Sequence, residues 1–511
     1  MPLLTQIPHN AEKTVHQLYY YDLNIDTNQE LVVYMGRNCS ICRSEGFSAL
    51  TRLEVSIGNK IIFASLHVTN DGLIPEGAVG LSESAAARLD VHSGDFLTIK
   101  FMQPLASMSL VRAKIFGDTL SQDAYRSIMD DIAGERYSNV ELSSFVSACA
   151  GDRMKVQEIG YLAEAMIKVG RQLSWPSAII ADKHCVGGLP GNRTTMIVVP
   201  IIATLGIPIP KVSSRAITSP AGTADTMEVL APVNLDFNDL RRVVENENGC
   251  IAWGGSVQLS PADDIIIRIE RALDIDSEAQ LVASILSKKV AAGSTHCLID
   301  IPVGPTAKVR SQREAERMQQ LMVEVGRMVG LNVTVVITDG SQPVGEGIGP
   351  SLEARDVLRV LRNDPLASVP LREKSLQLAA SLLQMVHGDD WNSAYLKAKE
   401  ILETGAALKK FMGICEAQGG FREPGTARYT ETVFAAESGR LADIHNRRIS
   451  RLAKLAGAPG AKEAGVDLHV RLSDSIINGQ PLCTIHANAP GELEYARTYL
   501  HQNPVFTLQQ T

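Results

Sequence analysis

The sequence predicts an α/β plus α protein: a helical lobe and an α/β sheet domain, with an N-terminal β-rich domain before them and a C-terminal α+β domain after. Three observations lead there. From Ile179 to roughly Ile348, short and strongly apolar runs alternate with helical stretches, the pattern of a sheet covered on both faces. From about Gln122 to Leu173, apolar residues recur every three or four positions, the helical period. The first hundred residues instead carry short β-leaning runs broken by Gly, Asn and Asp. A length of 511 residues accommodates about three domains with sizeable cores. The expected boundaries are 1–100, 101–177, 178–417 (with helices contributing to the helical lobe) and 418–511.

In the first domain the strand candidates are Leu31 to Tyr34, Leu53 to Ile57, Ile61 to Val68 and Phe96 to Phe101, with a small helix within Gly80 to Leu89. The helical stretches are Tyr125 to Ile132, Asn139 to Ala148 and Val156 to Val169. Caps are expected at Ser138-Asn139 and Gly151-Asp152, and Phe145, Leu162 and Met166 are core candidates. Strands of the α/β part are Ile179 to Ala181, Ile209 to Val212, Leu298 to Ile301 and Val333 to Val336. Residues 353–417 read as mostly helical. The last domain mixes Thr432 to Ala435, a helix through Asn446 to Leu455, Val466 to Leu472 and Pro481 to His486.

A net charge of −8 argues against a general nucleic-acid surface, so any anion site must be local. No apolar run reaches the ~20 residues of a membrane span, and Met1 to Gln17 lacks a signal pattern. Eight scattered cysteines fit a reducing cytoplasm. Cys39-Ser-Ile-Cys42 is a lone C-x-x-C without a second pair, and neither metal binding nor redox use is expected of it.

Two loops carry the chemistry. After the strand Ile209 to Val212 come Ser213, Ser214, Thr218, Ser219 and Thr223, with Arg215 among them, running into a helix near Gly222-Thr223. Upstream, Asp182 to Thr195 is a glycine-rich turn between a strand and a helix, bearing Lys183, His184, Gly187, Gly188 and Thr195. Backbone amides, hydroxyls and a helix start can together approach an anion closely. Lys183 adds a point charge and His184 a hydrogen bond or a proton. The glycine spacing fits neither a Walker loop nor a dinucleotide fingerprint. Further on, Ser284 and Lys288 are four apart and share a helical face, and Lys289 is expected to be solvated. Arg268 emerges from an apolar run, where Glu270 or Asp264 could pair with it.

Ser213-x-Arg215 followed by Gly222-Thr223-x-Asp225-x-x-Glu228 resembles the signature of the thymidine and pyrimidine-nucleoside phosphorylases. Lys183-His184 with Gly187-Gly188 resembles that family's phosphate loop, and Ser284 to Lys289 its base-recognition helix. The similarity runs from roughly Ile115 to the C-terminus. The β-rich extension resembles that of the longer branch, which includes the nucleoside-monophosphate (AMP) phosphorylases. This resemblance implies a cleft flanked by the helical lobe and the sheet domain, and phosphorolysis of a pyrimidine nucleoside: thymidine and phosphate give thymine and 2-deoxyribose 1-phosphate. The alternative is a nucleoside 5′-monophosphate as substrate. Phosphate would be a co-substrate, with no metal or organic cofactor, in a homodimer or larger homo-oligomer.

On the same resemblance, Lys183, Gly187, Gly188, Thr195, Ser213, Ser214, Arg215 and Thr223 would hold phosphate. Arg268, Ser284 and Lys288 would grip the base, and Thr218, Ser219 and Lys308 would line the sugar or a 5′-phosphate. The proton for the leaving base would come from His184 or from Asp276, whose pKa would have to be raised by burial. Three departures stand out: Cys185-Val186 where a hydroxyl pair often follows Lys-His, a longer loop through Pro190-Gly-Asn, and Ser219-Pro220 in the signature. The same fold serves anthranilate phosphoribosyltransferase, which would require acidic metal ligands and a diphosphate loop. A non-catalytic assembly protein would gain no stability from phosphate.

Overall fold

The computed structural model describes residues 17–70, 72–216, 219–275 and 277–509, the side chains of residues 43–45 excepted. It comprises two compact units, Met1–Asp118 with Asp130–Ala148, and Thr119–Met129 with Cys149–Thr511.

In the first unit, six strands close into a barrel in the order β1-β5-β2-β4-β3-β6. They are β1 (Gln17–Ile25), β2 (Val32–Gly36), β3 (Arg52–Ile57), β4 (Lys60–Thr69), β5 (Ala78–Ser82) and β6 (Phe96–Phe101), with α1 (Ser40–Glu45) and α2 (Glu83–Leu89) between them. Every second residue points inward, so Leu18 and Tyr20, Leu53 and Val55, and Leu97 and Ile99 form the core. β1 was not among the expected strands, yet it closes the barrel by pairing with both β5 and β6. Its second half carries Asp22 and Asn24, both exposed, at the positions that continue the row of Leu18 and Tyr20, which masks the alternation. α3 (Ser107–Ile115) precedes α4 (Gln122–Ala133), whose residues are shared between the two units; α5 (Asn139–Ala148) completes the first.

The second unit begins its main run with α6 (Val156–Val169), which buries Leu162 and Met166 as expected. Its cap is not Gly151-Asp152, which forms a short 3-10 turn. Instead the Lys155 N–H donates to Glu158 Oε2 at 3.0 Å. The buried Glu158 carboxylate also accepts from Tyr125 Oη and Leu120 N, which fixes where the helix starts.

The sheet elements then follow: β7 (Ala181–Cys185), α7 (Thr195–Thr204), β8 (Ile209–Ser213), α8 (Thr223–Leu230), α9 (Phe237–Glu247), β9 (Gly249–Trp253), α10 (Gly254–Val257), α11 (Pro261–Leu273), α12 (Glu278–Ala291), β10 (His296–Val303), α13 (Gln312–Met328) and β11 (Asn332–Asp339). β11, β10 and β7 pair in parallel, as do β8 and β9. The Ala181 N–H bonds to the Pro208 carbonyl at 2.9 Å and joins the two sets. The strand expected to stop at Ala181 thus begins there and runs on through Cys185, carrying Asp182, Lys183 and His184 within it. α7 is apolar all round, with Met196 to Ala203 buried, so it sits inside the core rather than on its surface.

β12 (Gly347–Ile348) and the helices α14 (Pro350–Leu361), α15 (Val369–His387), α16 (Trp391–Glu403) and α17 (Ala406–Ala417) lead to the C-terminal α+β part. There β13 (Tyr429–Phe434), β14 (Gly439–Ile444), α18 (Asn446–Leu455), β15 (Gly465–Leu468), β16 (Ser475–Ile476), β17 (Pro481–Ala487), α19 (Pro490–Gln502) and β18 (Phe506–Gln509) form two antiparallel sheets. One is ordered β12-β15-β17-β13 and the other β16-β14-β18. Among the described residues no helix is long and apolar enough to cross a membrane.

Candidate active site

The site is built around β7, because successive residues of a strand face opposite sides of the sheet. Asp182 and His184 face α12, whereas Lys183 and Cys185 face α7 and α15.

On the α12 side, the fully buried Asp182 lies between Lys211 at 3.2 Å and Lys289 at 2.8 Å. Burial alone would raise the Asp182 carboxyl, but the two ammonium groups outweigh it and hold its pKa below the ordinary range. Lys289, expected to be solvated, is instead 3% exposed and paired. A helical position next to the exposed-looking Lys288 points at the sheet here, because α12 packs on it. Burial, then Lys289, Lys211, Lys183 and Lys288, drive the His184 pKa well below that of a free imidazole. His184 is therefore a neutral ring at pH 7, able to donate an N–H bond but unfavourable as an imidazolium.

Beside it, α11 and α12 meet at Asp263, which is 1% exposed. Ser284 Oγ donates to Asp263 Oδ2 at 3.0 Å, and Lys288 Nζ pairs with the same oxygen. Burial works against the Lys288 charge, but Asp263 and Asp264 more than offset it and hold its pKa above the usual value. Asp263 was not singled out in the sequence; its only sign there is an acid in the first turn after Ser260-Pro261. Arg268 lies exposed on α11, one turn after Asp264.

On the opposite side, Lys183 Nζ donates to Thr194 Oγ1 at 2.7 Å and lies 3.5 Å from Thr195 Oγ1, at the start of α7. Burial lowers its pKa, against the pull of Cys185 and Asp300. Asp300 accepts from Asn192 Nδ2 at 3.3 Å and Thr338 Oγ1 at 2.5 Å, and pairs with Lys374 at 3.3 Å. The Asn192 amide also donates to Cys185 Sγ at 3.1 Å. Lys374, on α15, is a second cation of this cluster that sequence reasoning missed, since it lies far along the chain from Lys183.

The glycine turn after β7 packs against Lys308. Gly188 has φ +78°, and a Cβ there would lie 2.5 Å from Lys308 Cβ and 2.6 Å from its backbone nitrogen, so only glycine admits the approach. The serine-rich loop is braced from within. Asp225 Oδ2 accepts from Ala216 N at 2.6 Å and from Gly222 N at 2.8 Å. Arg215 forms a two-pronged pair with Glu228, both contacts at 2.8 Å, and stacks over Trp253. Arg193, also missed in the sequence, ties the two loops together. It donates to Thr223 Oγ1 at 3.0 Å and the Ala221 carbonyl at 2.9 Å, and pairs with the buried Glu353.

The C-terminal part clamps the neighbouring turn. Arg471 donates to the carbonyls of Pro343 at 2.7 Å and Val344 at 3.0 Å, and to Ser368 Oγ at 3.1 Å. That turn in turn holds the glycine loop, through Val344 N to Pro190 O at 3.3 Å and Gly345 N to Gly191 O at 3.1 Å.

Residues 108–170 match the helical bundle domain of a glycosyl transferase family, 177–408 its a/b domain, and 440–506 the pyrimidine nucleoside phosphorylase C-terminal domain. Relatives from Polaromonas sp. and Legionella pneumophila, each bearing the name "Putative thymidine phosphorylase", are 52% and 53% identical over 95% of this chain and 95% and 94% of theirs. The chain belongs to the thymidine and pyrimidine-nucleoside phosphorylase family. Anthranilate phosphoribosyltransferase from Thermus thermophilus shares the fold, with TM-score 0.52 at 17% identity over 60% of this chain and 98% of that one.

Within this phosphorylase-family chain, Lys183 on β7, Gly187 and Gly188 in the turn after it and Thr195 at the start of α7 belong to one strand–turn–helix segment, and Ser284 and Lys288 share one helix. Ser213 and Ser214 stand at the tip of β8 without a hydrogen-bond partner for either hydroxyl among the described residues. Thr223 is engaged by Arg193, and the Ser219 hydroxyl by the Ala221 carbonyl at 2.9 Å. Arg215, expected to contact phosphate, has its guanidinium taken up by Glu228 and Asp225, and in the free protein it braces the loop. Thr218 and Asp276 lie outside the described residues.

Proposed function

We propose that this protein transfers a pentose from a pyrimidine nucleoside to inorganic phosphate, converting thymidine and phosphate into thymine and 2-deoxyribose 1-phosphate. The observation that supports it most is the division of groups across β7. Lys183, with Thr194 and Thr195, offers an ammonium and hydroxyls on one side of the strand. His184, Ser284 and Lys288 stand on the other. A phosphorolysis needs two such sets of groups, one for the phosphate whose oxygen forms the new bond to C1′ and one for the base, which departs from the opposite face of the sugar with negative charge. Lys288 and Arg268 would stabilise that charge on the base, and the neutral His184 would donate a hydrogen bond to it. Asp276 stays in the proposal as the alternative proton source, and Thr218, Ser219 and Lys308 as sugar-side groups. Phosphate is the co-substrate, and the reading calls for no metal or organic cofactor.

A nucleoside 5′-monophosphate is the second reading, and the packing of the Lys308 backbone and Cβ against Gly188 favours it, because it brings that lysine to the glycine turn. The test is phosphate-dependent release of free base from thymidine, uridine, AMP, CMP and UMP in parallel. Release from thymidine or uridine with the monophosphates inert supports the first reading. Release from the monophosphates alone overturns it in favour of the second, and no release from any of them sinks both.

A further inference from the structure

Arg193 sits in the glycine loop two residues before Thr195, and its side chain is 9% exposed. Each of its three guanidinium nitrogens has a different partner. Nε pairs with the Glu353 carboxylate of α14, Nη1 donates to Thr223 Oγ1 at 3.0 Å, and Nη2 donates to the Ala221 carbonyl at 2.9 Å. Glu353 is itself buried, and its other oxygen accepts from the Gly349 N–H at 3.2 Å. A guanidinium so enclosed, with every nitrogen engaged, holds the start of α8 in place and does not itself meet a ligand.

The consequence for Thr223 follows from hydroxyl chemistry. A threonine oxygen can accept hydrogen bonds and donate one, whereas a guanidinium only donates. With Arg193 on its acceptor side, the Thr223 hydroxyl keeps its proton for another partner, and no acceptor takes it among the described residues. Neighbouring hydroxyls have committed theirs. Thr194 donates to Asn192 Oδ1 at 3.2 Å, Ser219 to the Ala221 carbonyl at 2.9 Å and Thr226 to the Gly222 carbonyl at 3.1 Å. Thr223 is only partly buried, which leaves its O–H open to a small ligand.

We propose that Arg193 is a positioning residue for phosphate: by donating to Thr223 Oγ1 it makes that hydroxyl a dedicated donor to a phosphate oxygen. The inference rests on the phosphate site of the function proposed above, to which the sequence assigns Thr223, and adds the residue that sets the polarity of its hydroxyl. A lysine at 193 would keep the charge. One ammonium on a flexible stem, however, cannot span Glu353, Thr223 and the Ala221 carbonyl as a planar fork does.

Inorganic phosphate would be titrated calorimetrically into the full-length protein and into Thr223→Val, Thr223→Ser, Arg193→Lys and the Arg193→Lys/Thr223→Val double variant. Thr223→Val and Arg193→Lys should each weaken phosphate binding by roughly tenfold or more, the scale of one hydrogen bond to a charged group. Thr223→Ser, which restores the hydroxyl, should recover most of the affinity. The double variant should bind no more weakly than Thr223→Val alone, because Arg193 acts through that hydroxyl. A residue that merely stabilised the fold would not produce this non-additivity. Unchanged affinity in Thr223→Val or Arg193→Lys, losses that multiply in the double variant, or no phosphate binding by the wild-type protein would overturn the proposal. If Arg193→Lys fails to fold, Arg193→Met with Glu353→Gln, which removes both charges of the buried pair, takes its place in the cycle. If neither folds, Thr223→Val against Thr223→Ser decides. Binding is read without turnover, so a protein that binds phosphate in this pattern and releases no base would sink the function reading and leave this inference standing.

Discussion

Asp182 is one buried anion serving two buried cations, and Asp182→Asn removes it without changing the volume. At an effective dielectric constant of 20, contacts at 2.8 and 3.2 Å are each worth about 5–6 kcal/mol of gross Coulomb energy, most of it spent against desolvation. Lysine neutralisation limits the damage. Burial already pushes the Lys211 pKa down in the wild type, so it is the easier of the two to deprotonate. Lys289, whose pKa Asp182 holds above the ordinary value, must then lose its proton in the variant. Deprotonating a lysine of pKa near 10.4 at pH 7 costs about 4.6 kcal/mol, so the variant should lose about 3–5 kcal/mol of stability. The cost should also depend on pH. In the variant, Lys289 is neutral when folded and charged when unfolded, so the unfolded state binds the extra proton and stability rises with pH. The deficit should shrink by up to about 1.4 kcal/mol per unit between pH 7 and 9. Urea unfolding followed by tryptophan fluorescence is the assay, since Trp175, Trp253 and Trp391 all lie in the second unit. Adding Lys289→Met should recover more than half of the loss. A deficit under about 1 kcal/mol at pH 7, or one unchanged at pH 9, would refute the reasoning.

The other predictions concern turnover. Because the His184 pKa is held well below 6.5, kcat/KM should show no limb near pH 6.5; such a limb, abolished in His184→Gln, would mean the ring works as an imidazolium. Lys183→Ala should raise the phosphate KM about tenfold or more with a smaller change in nucleoside KM, and initial rates against phosphate would check it. Lys288→Ala should lower kcat/KM for the nucleoside by roughly 10²–10³, and Asp263→Asn, which frees Lys288 and Ser284 from their shared oxygen, should lower it less. Arg471→Ala leaves the Pro343 and Val344 carbonyls without their donor, so phosphate KM should rise by a few-fold while Arg471→Lys recovers part of it.

Much of the fold was readable because helical and strand periods are local. Asn139–Ala148, Val156–Val169 and Asn446–Leu455 fall where three- and four-residue spacing places them. The two glycine- and hydroxyl-bearing loops were legible for the same reason: glycine, hydroxyl and basic residues are clustered within a few positions of strand ends. β1 was not legible, since its strand character depends on neighbours more than fifty residues away. Nor was the extent of β7, whose charged residues contradict the apolar pattern of a buried strand and are tolerated only because partners on β8, α7 and α12 neutralise or hydrogen-bond them.

The sequence by itself determined the order of the helical and strand-rich segments, the two loops and the polar groups they carry. The tertiary structure decided which of those groups are free to act. It set Lys183 and His184 on opposite sides of one strand, buried Lys289, and occupied Arg215 with Glu228. It also recruited Asp263, Arg193, Lys374 and Arg471 from distant parts of the chain. The reason is physical: a charge or hydroxyl acts through whatever lies within about 3 Å of it, and that distance is fixed by packing between elements, which the local pattern of residues does not encode.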